Sequence, residues 1–342
     1  MGCSSLRVGV IGTGRIGRMH AGLLSSRVAG AELVAVSDAV PSVAEQAAQA
    51  LGVPALSTPR LLANREVEAV AICAATGSHV PLIIQAAQAG KPIFCEKPIS
   101  LDLAQVDEAL AVVERAATPL MVGFNRRFDP SHAAVHEAVA RGSTGEPHLV
   151  RITSRDPAPP PLAYARESGG IFLDMTIHDF DMARYVVGSE VAEVYAAGTV
   201  RVDPALGDLG DVDTAIVTLR HENKCLTVID NSRQASYGYD QRVEVLGAQG
   251  LAASENPMAN TSLIRDANGT RLATLPYFFL ERYTSSYIRQ WEAFVAAVRS
   301  GQVPLTSGRD GRAALVLGLA AKLSLREQRP VRPSEVDRGR EH

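Results

Sequence analysis

Several features are missing from this sequence, and each absence excludes something. No stretch approaches the roughly 18 consecutive apolar residues of a membrane-spanning helix, so no membrane partner is expected. The N-terminus has no basic segment followed by an apolar run of signal-peptide length. Neither sign of charge is in excess: 34 Lys and Arg stand against 37 Asp and Glu, a formal net charge of −3. Nucleic acid normally needs a basic patch or stripe, so no such partner is expected. The adjacent Arg126 and Arg127 are too few to make one. Cysteine is scarce, with four residues (Cys3, Cys73, Cys95 and Cys225), far apart and without a CxxC pair. That spacing argues against a disulfide frame or a structural zinc site, and no metal is expected. These absences together describe a cytoplasmic protein with reduced thiols.

What is present is enough apolar residue, 46% of 342, for more than one core. Two domains are the natural expectation, 1–125 and 126–342. In the first, short apolar runs alternate with helical segments. LRVGVI at 6–11, ELVAVSD at 32–38, VEAVAIC at 67–73, KPIFCEKP at 91–98 and PLMVGF at 119–124 read as strands. Alanine-rich or amphipathic segments between them read as helices, as in 41–51, which opens on Pro41 and closes on Gly52. Strands that are apolar throughout are covered on both faces, which predicts a doubly wound parallel sheet.

Beyond Asn125 the pattern changes. A helix at about 130–140 precedes the strand PHLVRITSR, the proline-rich DPAPPPLAYARESGG at 156–170 and a helix at about 172–187. The proline-rich segment is expected to hold neither regular strand nor helix. Four closely spaced strand-like runs then follow, with a tight turn at HENK (221–224), and predict a large, mainly antiparallel sheet. Its open face would need cover, which another subunit could give. Late helices are expected at 285–299 and 309–325, and 337–342 reads as a frayed tail. The fold class is α/β plus α+β.

The candidate cofactor site begins at Gly12, Gly14 and Gly17, a GxGxxG between a strand and a helix. Gly12 permits a tight turn, Gly14 lets a pyrophosphate approach, and Gly17 lets the helix pack on the sheet. The helix N-terminus offers free N–H groups to phosphate oxygens. Arg15 and Ile16 lie in the same turn, Arg15 as a pyrophosphate contact or an ordinary solvated arginine. Asp38 ends the second strand 21 residues after Gly17 and can accept ribose hydroxyls. It would repel a 2′-phosphate, and Ala39 and Val40 supply no cation, so NAD is favoured over NADP. Thr76 and His79 follow the third strand as cofactor-loop candidates, His79 reading as a helix start rather than a base. Glu96 and Lys97 close the fourth strand as further cofactor candidates.

Three residues are the candidate chemical groups. Pro98 restricts Lys97 to an extended backbone, and a fixed ammonium there can stabilise negative charge on a substrate oxygen. An ordinary surface lysine is the competing reading. Asp174 and His178 are four apart on an expected helix, so they share a face, with Asp181 near it and Asp179 pointing away. A histidine near neutrality suits a general base, while a structural Asp–His bond is the alternative. A non-catalytic dinucleotide sensor is the rival at the level of function, and the coincidence of these three residues argues against it.

VGVIGTGRIGRMH at 8–20, FCEKPISLDL at 94–103, VGFNRRFDP at 122–130, GGIFLDMTIHDFDMARY at 169–185 and YGYDQRVEVLG at 237–247 resemble the glucose-fructose oxidoreductase/inositol dehydrogenase/MocA family. The resemblance covers both expected domains. It implies a Rossmann domain, NAD, and oxidation of myo-inositol to 2-keto-myo-inositol, with scyllo-inositol, glucose and other sugars as the substrates of relatives. It also implies His178 as general base, Lys97 at the reacting oxygen and Asp174 beside them. Asn125, Arg127, Asp156 and Tyr237 follow as polyol contacts, a homotetramer built on second-domain sheets as the assembly, and a cis bond before Pro98 as a common feature.

Overall fold

The computed structural model describes residues 5–337, so Cys3, and the expected tail apart from Asp337, lie outside the described residues. In chain order the elements begin β1 (Leu6–Ile11), α1 (Arg15–Ser26), β2 (Ala31–Ser37), α2 (Pro41–Leu51), α3 (Thr58–Ala63), β3 (Ala69–Ile72), α4 (His79–Gln88), β4 (Ile93–Cys95), α5 (Leu103–Arg115) and β5 (Leu120–Val122). The chain continues through α6 (Pro130–Ala140), β6 (Pro147–Arg155), α7 (Leu162–Glu167), α8 (Ile171–Asp174), α9 (Ile177–Val187), β7 (Val191–Thr199) and α10 (Pro204–Asp208). It then forms β8 (Thr214–His221), β9 (Leu226–Ser232), β10 (Asp240–Gly247), β11 (Leu251–Ser254), β12 (Leu263–Asp266), β13 (Gly269–Leu272), α11 (Phe279–Arg282), α12 (Thr284–Ser300) and α13 (Gly308–Glu327).

Two compact units result. The first takes the chain up to Phe128 together with Ser285–Ala313, and the second takes Asp129–Thr284 and the chain from Ala314 onward. This division differs from the expected single cut after 125, because the chain returns to its first unit late. The cause is aromatic packing: Trp291 and Phe294 of α12 lie against Phe94 of β4, with Trp291 fully buried. Removing an indole from water is worth on the order of 5 kcal/mol.

In the first unit the strands run β2-β1-β3-β4-β5, all parallel, as the apolar runs imply. The order reverses direction between β1 and β3, and ligands of open α/β sheets bind at such a point, beyond the strand C-termini. α5 starts where the Asp102 carboxylate accepts N–H groups of Ala104 and Gln105 at 2.8 and 3.1 Å. α2 ends on Gly52 at φ +69°, a left-handed turn that glycine makes at least cost.

The second unit is built on a six-stranded sheet, β11-β10-β6-β9-β8-β7. It is mixed: β6 and β9 are parallel neighbours and the remaining pairs antiparallel. Alternation along β8 sends Ala215, Val217 and Leu219 inward, where they share a core with Phe180, Ala183 and Val186 of α9 and Leu317, Ala320 and Ala321 of α13. The opposite face carries Tyr195, Ile216, Leu226, Leu246 and Leu251, each 40–54% exposed.

Three expectations about elements need correction. The proline-rich segment contains a helix, α7, which begins after the last of its prolines, Pro161. The expected helix at 172–187 is two helices, α8 and α9, parted at Met175 and Thr176, where the Thr176 hydroxyl bonds the Ile171 carbonyl and Asn231. Such a side chain competes with the helical backbone for its hydrogen bonds. The exposed hairpin β12–β13 gave no alternation to detect and was not expected.

Candidate functional site

In the first unit the glycine turn fits a dinucleotide on three counts. Gly12 sits at φ +92°, and a Cβ there would lie 2.5 Å from the Ala74 nitrogen on β3's exit. At Gly17 a Cβ would come within 1.9 Å of the Gly12 carbonyl oxygen. Gly14, at the N-cap of α1, has no atom within 4 Å of such a Cβ, so the space before the helix N-terminus is open. Arg15 is exposed and Ile16 half-buried in the same turn.

The Asp38 carboxylate ends β2 and is fastened to this turn. Oδ2 accepts from the Thr13 backbone and hydroxyl at 2.7 and 3.1 Å, and Oδ1 accepts from the Val40 N–H at 3.0 Å. Burial pushes its pKa up, but the bonds from Thr13 and Val40 prevail and hold it below the ordinary value. Asp38 is therefore ionised at neutral pH.

Thr76 opens a one-turn 3₁₀ segment, half-buried. His79 starts α4 and is 1% exposed; Nδ1 faces the Pro98 carbonyl at 2.8 Å and Nε2 the Ala74 carbonyl at 2.9 Å. Burial pushes its pKa down against these two carbonyls. A neutral ring carries one N–H, so it donates to one of these carbonyls and abuts the other. Glu96 is buried and Lys97 half-buried, with a cis bond between Lys97 and Pro98.

Asn125 and Arg127 lie in a buried 3₁₀ turn. The Nδ2 of Asn125 is buried without a hydrogen-bond partner. Arg127 donates to the Leu305 carbonyl at 3.0 Å and to Asp310 at 2.9 Å, contacts that serve the first unit's own structure.

In the second unit Asp174 ends α8. Its Oδ1 accepts from the Tyr164 hydroxyl at 2.7 Å and its Oδ2 from Arg233 at 3.0 Å. Arg233 also reaches Asp156 at 3.4 Å. Burial lowers the Arg233 pKa, yet the charges of Asp174 and Asp156 outweigh it and raise it above the ordinary value. Two such donors to Asp174, one of them a guanidinium, fix the carboxylate's orientation. His178 is half-buried at the start of α9. Asp179, next in sequence, is fully buried and accepts from Ser154 at 2.6 Å and Asn231 at 2.9 Å. The α9 N-terminus is thereby fastened to β6 and β9. Tyr237, 52% exposed, donates to Asp240 at 2.7 Å and accepts from Arg155 at 2.9 Å.

Sequence reasoning missed Arg233, Tyr164, His20 and Asn231. Arg233 left one sign, a cation directly after an apolar strand. Tyr164 left none, because its segment was read as structureless. Among the described residues no group of three or more His, Cys, Asp or Glu could hold a metal, and no helix is long and apolar enough to cross a membrane.

Residues 6–124 match the model described as an oxidoreductase family with an NAD-binding Rossmann fold, and 132–253 match the GFO/IDH/MocA C-terminal domain. The chain is 50% identical to a myo-inositol 2-dehydrogenase of Thermotoga maritima over 97% of its length and 99% of that protein. It is 46% identical to an inositol 2-dehydrogenase of Rhizobium meliloti over 96% of its length and 99% of that protein. The crystal structure of a myo-inositol dehydrogenase from Corynebacterium glutamicum superposes with a TM-score of 0.92 at 39% identity, covering 96% of this chain and 98% of the other.

Proposed function

The chain belongs to the Gfo/Idh/MocA family of NAD-dependent oxidoreductases, and from that premise we propose that it oxidises myo-inositol to 2-keto-myo-inositol. The observation that carries the reading is the near end-to-end similarity to a myo-inositol 2-dehydrogenase at half identity. The glycine turn and Asp38 would hold NAD, which supplies a hydride acceptor when bound. His178 takes the hydroxyl proton as the C–H bond breaks, so that one proton and one hydride leave the same carbinol. The Lys97 ammonium donates to the oxygen that becomes the carbonyl and offsets its developing charge. Asp174, bonded to Arg233 and Tyr164, orients one of them. Asn125, Arg127, Asp156 and Tyr237 are the proposed polyol contacts, with Arg127 and Tyr237 spending part of their capacity on internal bonds.

A panel of myo-inositol, scyllo-inositol and glucose with NAD, followed at the nicotinamide absorbance band, tests the reading. Myo-inositol should give the highest kcat/KM; a higher value for another member overturns the substrate assignment. The same panel with NADP should be at least about tenfold poorer, the cost of about 1.4 kcal/mol of repulsion at Asp38. A homotetramer in the cytoplasm is the proposed state. The apolar outer face of the six-stranded sheet supports the assembly, and the buried free thiols Cys73, Cys95 and Cys225 support the compartment. A solution mass of one chain would refute the assembly.

A further inference from the structure

We propose that His20 is a positioning residue for Lys97, acting through Glu96 as a neutral imidazole of fixed tautomer. The inference rests on the assignment of Lys97 to the chemistry.

An indole N–H can only donate. The Nε1 of Trp291 lies 2.9 Å from His20 Nδ1, so Nδ1 is the acceptor and the ring proton sits on Nε2. That nitrogen lies 2.8 Å from Glu96 Oε1 and donates to it. The other carboxylate oxygen, Oε2, accepts the Lys97 backbone N–H at 3.2 Å. A second ring proton would occupy Nδ1 and break the bond from Trp291, so this chain of bonds holds only with a neutral ring. His20 and Trp291 are fully buried and Glu96 is 8% exposed.

Packing closes the remaining freedom. Phe94 and Tyr287 meet the His20 ring edge-on at centroid distances of 5.1 and 5.5 Å. On the carboxylate's far side is Gly123, where a Cβ would fall 2.9 Å from Glu96 Oε2. Glu96 is thereby held at both carboxylate oxygens, and Lys97 leaves β4 from a backbone nitrogen bonded to one of them. The function of α12 follows: a helix far away in sequence supplies the indole that sets the imidazole.

Trp291 is the single tryptophan of the chain, so its emission reports on its bond to His20. The test uses the full-length protein saturated with NAD, and four variants. His20→Leu removes both bonds, His20→Gln keeps a donor toward Glu96, Trp291→Phe removes only the indole donor, and Lys97→Ala is the reference. In His20→Leu kcat should fall between about tenfold and about hundredfold, as a displacement near 1 Å would cause, with the KM for NAD little changed. His20→Gln should recover most of that loss, and Trp291→Phe should lie between. Trp291 emission should shift in His20→Leu at unchanged fold.

Folded His20→Leu with kcat within about twofold of wild type overturns the inference, while an inactive Lys97→Ala keeps the Lys97 assignment standing. A loss equal in His20→Gln and His20→Leu and tracking Tm alone also overturns it. An active Lys97→Ala removes the Lys97 assignment and this inference with it. If His20→Leu does not fold, His20→Gln and Trp291→Phe decide, and wild-type kcat in both overturns the proposal.

Discussion

The two units place their functional groups by different means. In the first, backbone shapes the glycine turn: Gly12 and Gly17 bring main chain to van der Waals limits, and Asp38 is held largely by peptide N–H groups. In the second, side-chain charges do it: Arg233 lies buried between Asp174 and Asp156, and Asp179 sits in a network with Ser154 and Asn231. Main-chain placement fails when an atom is added. Charge placement fails when a partner is removed. The comparison therefore predicts opposite sensitivities in the two units.

The largest effect is expected at Arg233. Its side chain is 3% exposed and that of Asp174 10%. Arg233→Ala would strand the Asp174 carboxylate, and removing one partner of a buried pair costs about 3–5 kcal/mol. Denaturant titration should show that loss, with turnover lost as well and NAD affinity retained. A drop below about 1 kcal/mol would mean that the pair is solvated and that charge does not organise this unit.

Gly17→Ala should come next and do the converse. The added methyl meets the Gly12 carbonyl at 1.9 Å, so the turn must shift. Overpacking of this kind costs about 1–3 kcal/mol, which at the cofactor turn corresponds to roughly a hundredfold in NAD affinity at the upper end. Isothermal titration with NAD checks it, and unchanged affinity would sink the argument that backbone approach sets the cofactor site.

The same contrast explains what could be read in advance. Backbone placement leaves local marks, so the glycine spacing, Asp38 and the run to Lys97 were legible, as were the parallel strands, apolar on both faces. Charge placement across strands leaves almost none. Arg233 is 59 residues from Asp174 and Tyr164 only 10, yet neither pairing follows from any spacing rule. The shared helix for Asp174 and His178 failed for a related reason: the Thr176 hydroxyl bonds Asn231, 55 residues away, and tertiary contact overrode a continuous apolar pattern. The return of α12 to the first unit was equally hidden, because Trp291 finds His20 at a separation of 271 residues.

A smaller effect is expected from acid. Asp310 in the first unit and Asp129 and Asp240 in the second all sit below the ordinary carboxylate value of 3.8. Burial opposes this in each, but Arg127 at Asp310, His132 and Arg282 at Asp129, and Arg242 and Tyr237 at Asp240 prevail. Carboxylates whose folded pKa is depressed contribute stability above the unfolded value, and lose it as pH falls through the folded one. Tm should therefore show no carboxylate-linked loss between pH 7 and about 5, and fall only below about 4. A Tm that falls steeply between pH 7 and 5 would assign the dominant linkage to histidine instead.

The smallest effect separates the two partners of Asp174. Tyr164 is 48% exposed, and its hydroxyl donates to Oδ1 while Arg233 holds Oδ2. Tyr164→Phe removes one hydrogen bond and leaves the charge partner, so the carboxylate loses one restraint on its rotation. A single hydrogen bond is worth about 0.5–1.5 kcal/mol, and exposure places this one at the lower end, or about threefold in kcat. Tm should barely move, since the phenyl ring keeps its packing. A hundredfold loss of kcat at unchanged Tm would show that the hydroxyl meets the substrate rather than Asp174 alone. Were Tyr164→Phe and Arg233→Ala equally damaging, both to turnover and to stability, charge would not be what distinguishes the second unit, because an uncharged donor would matter as much as the guanidinium.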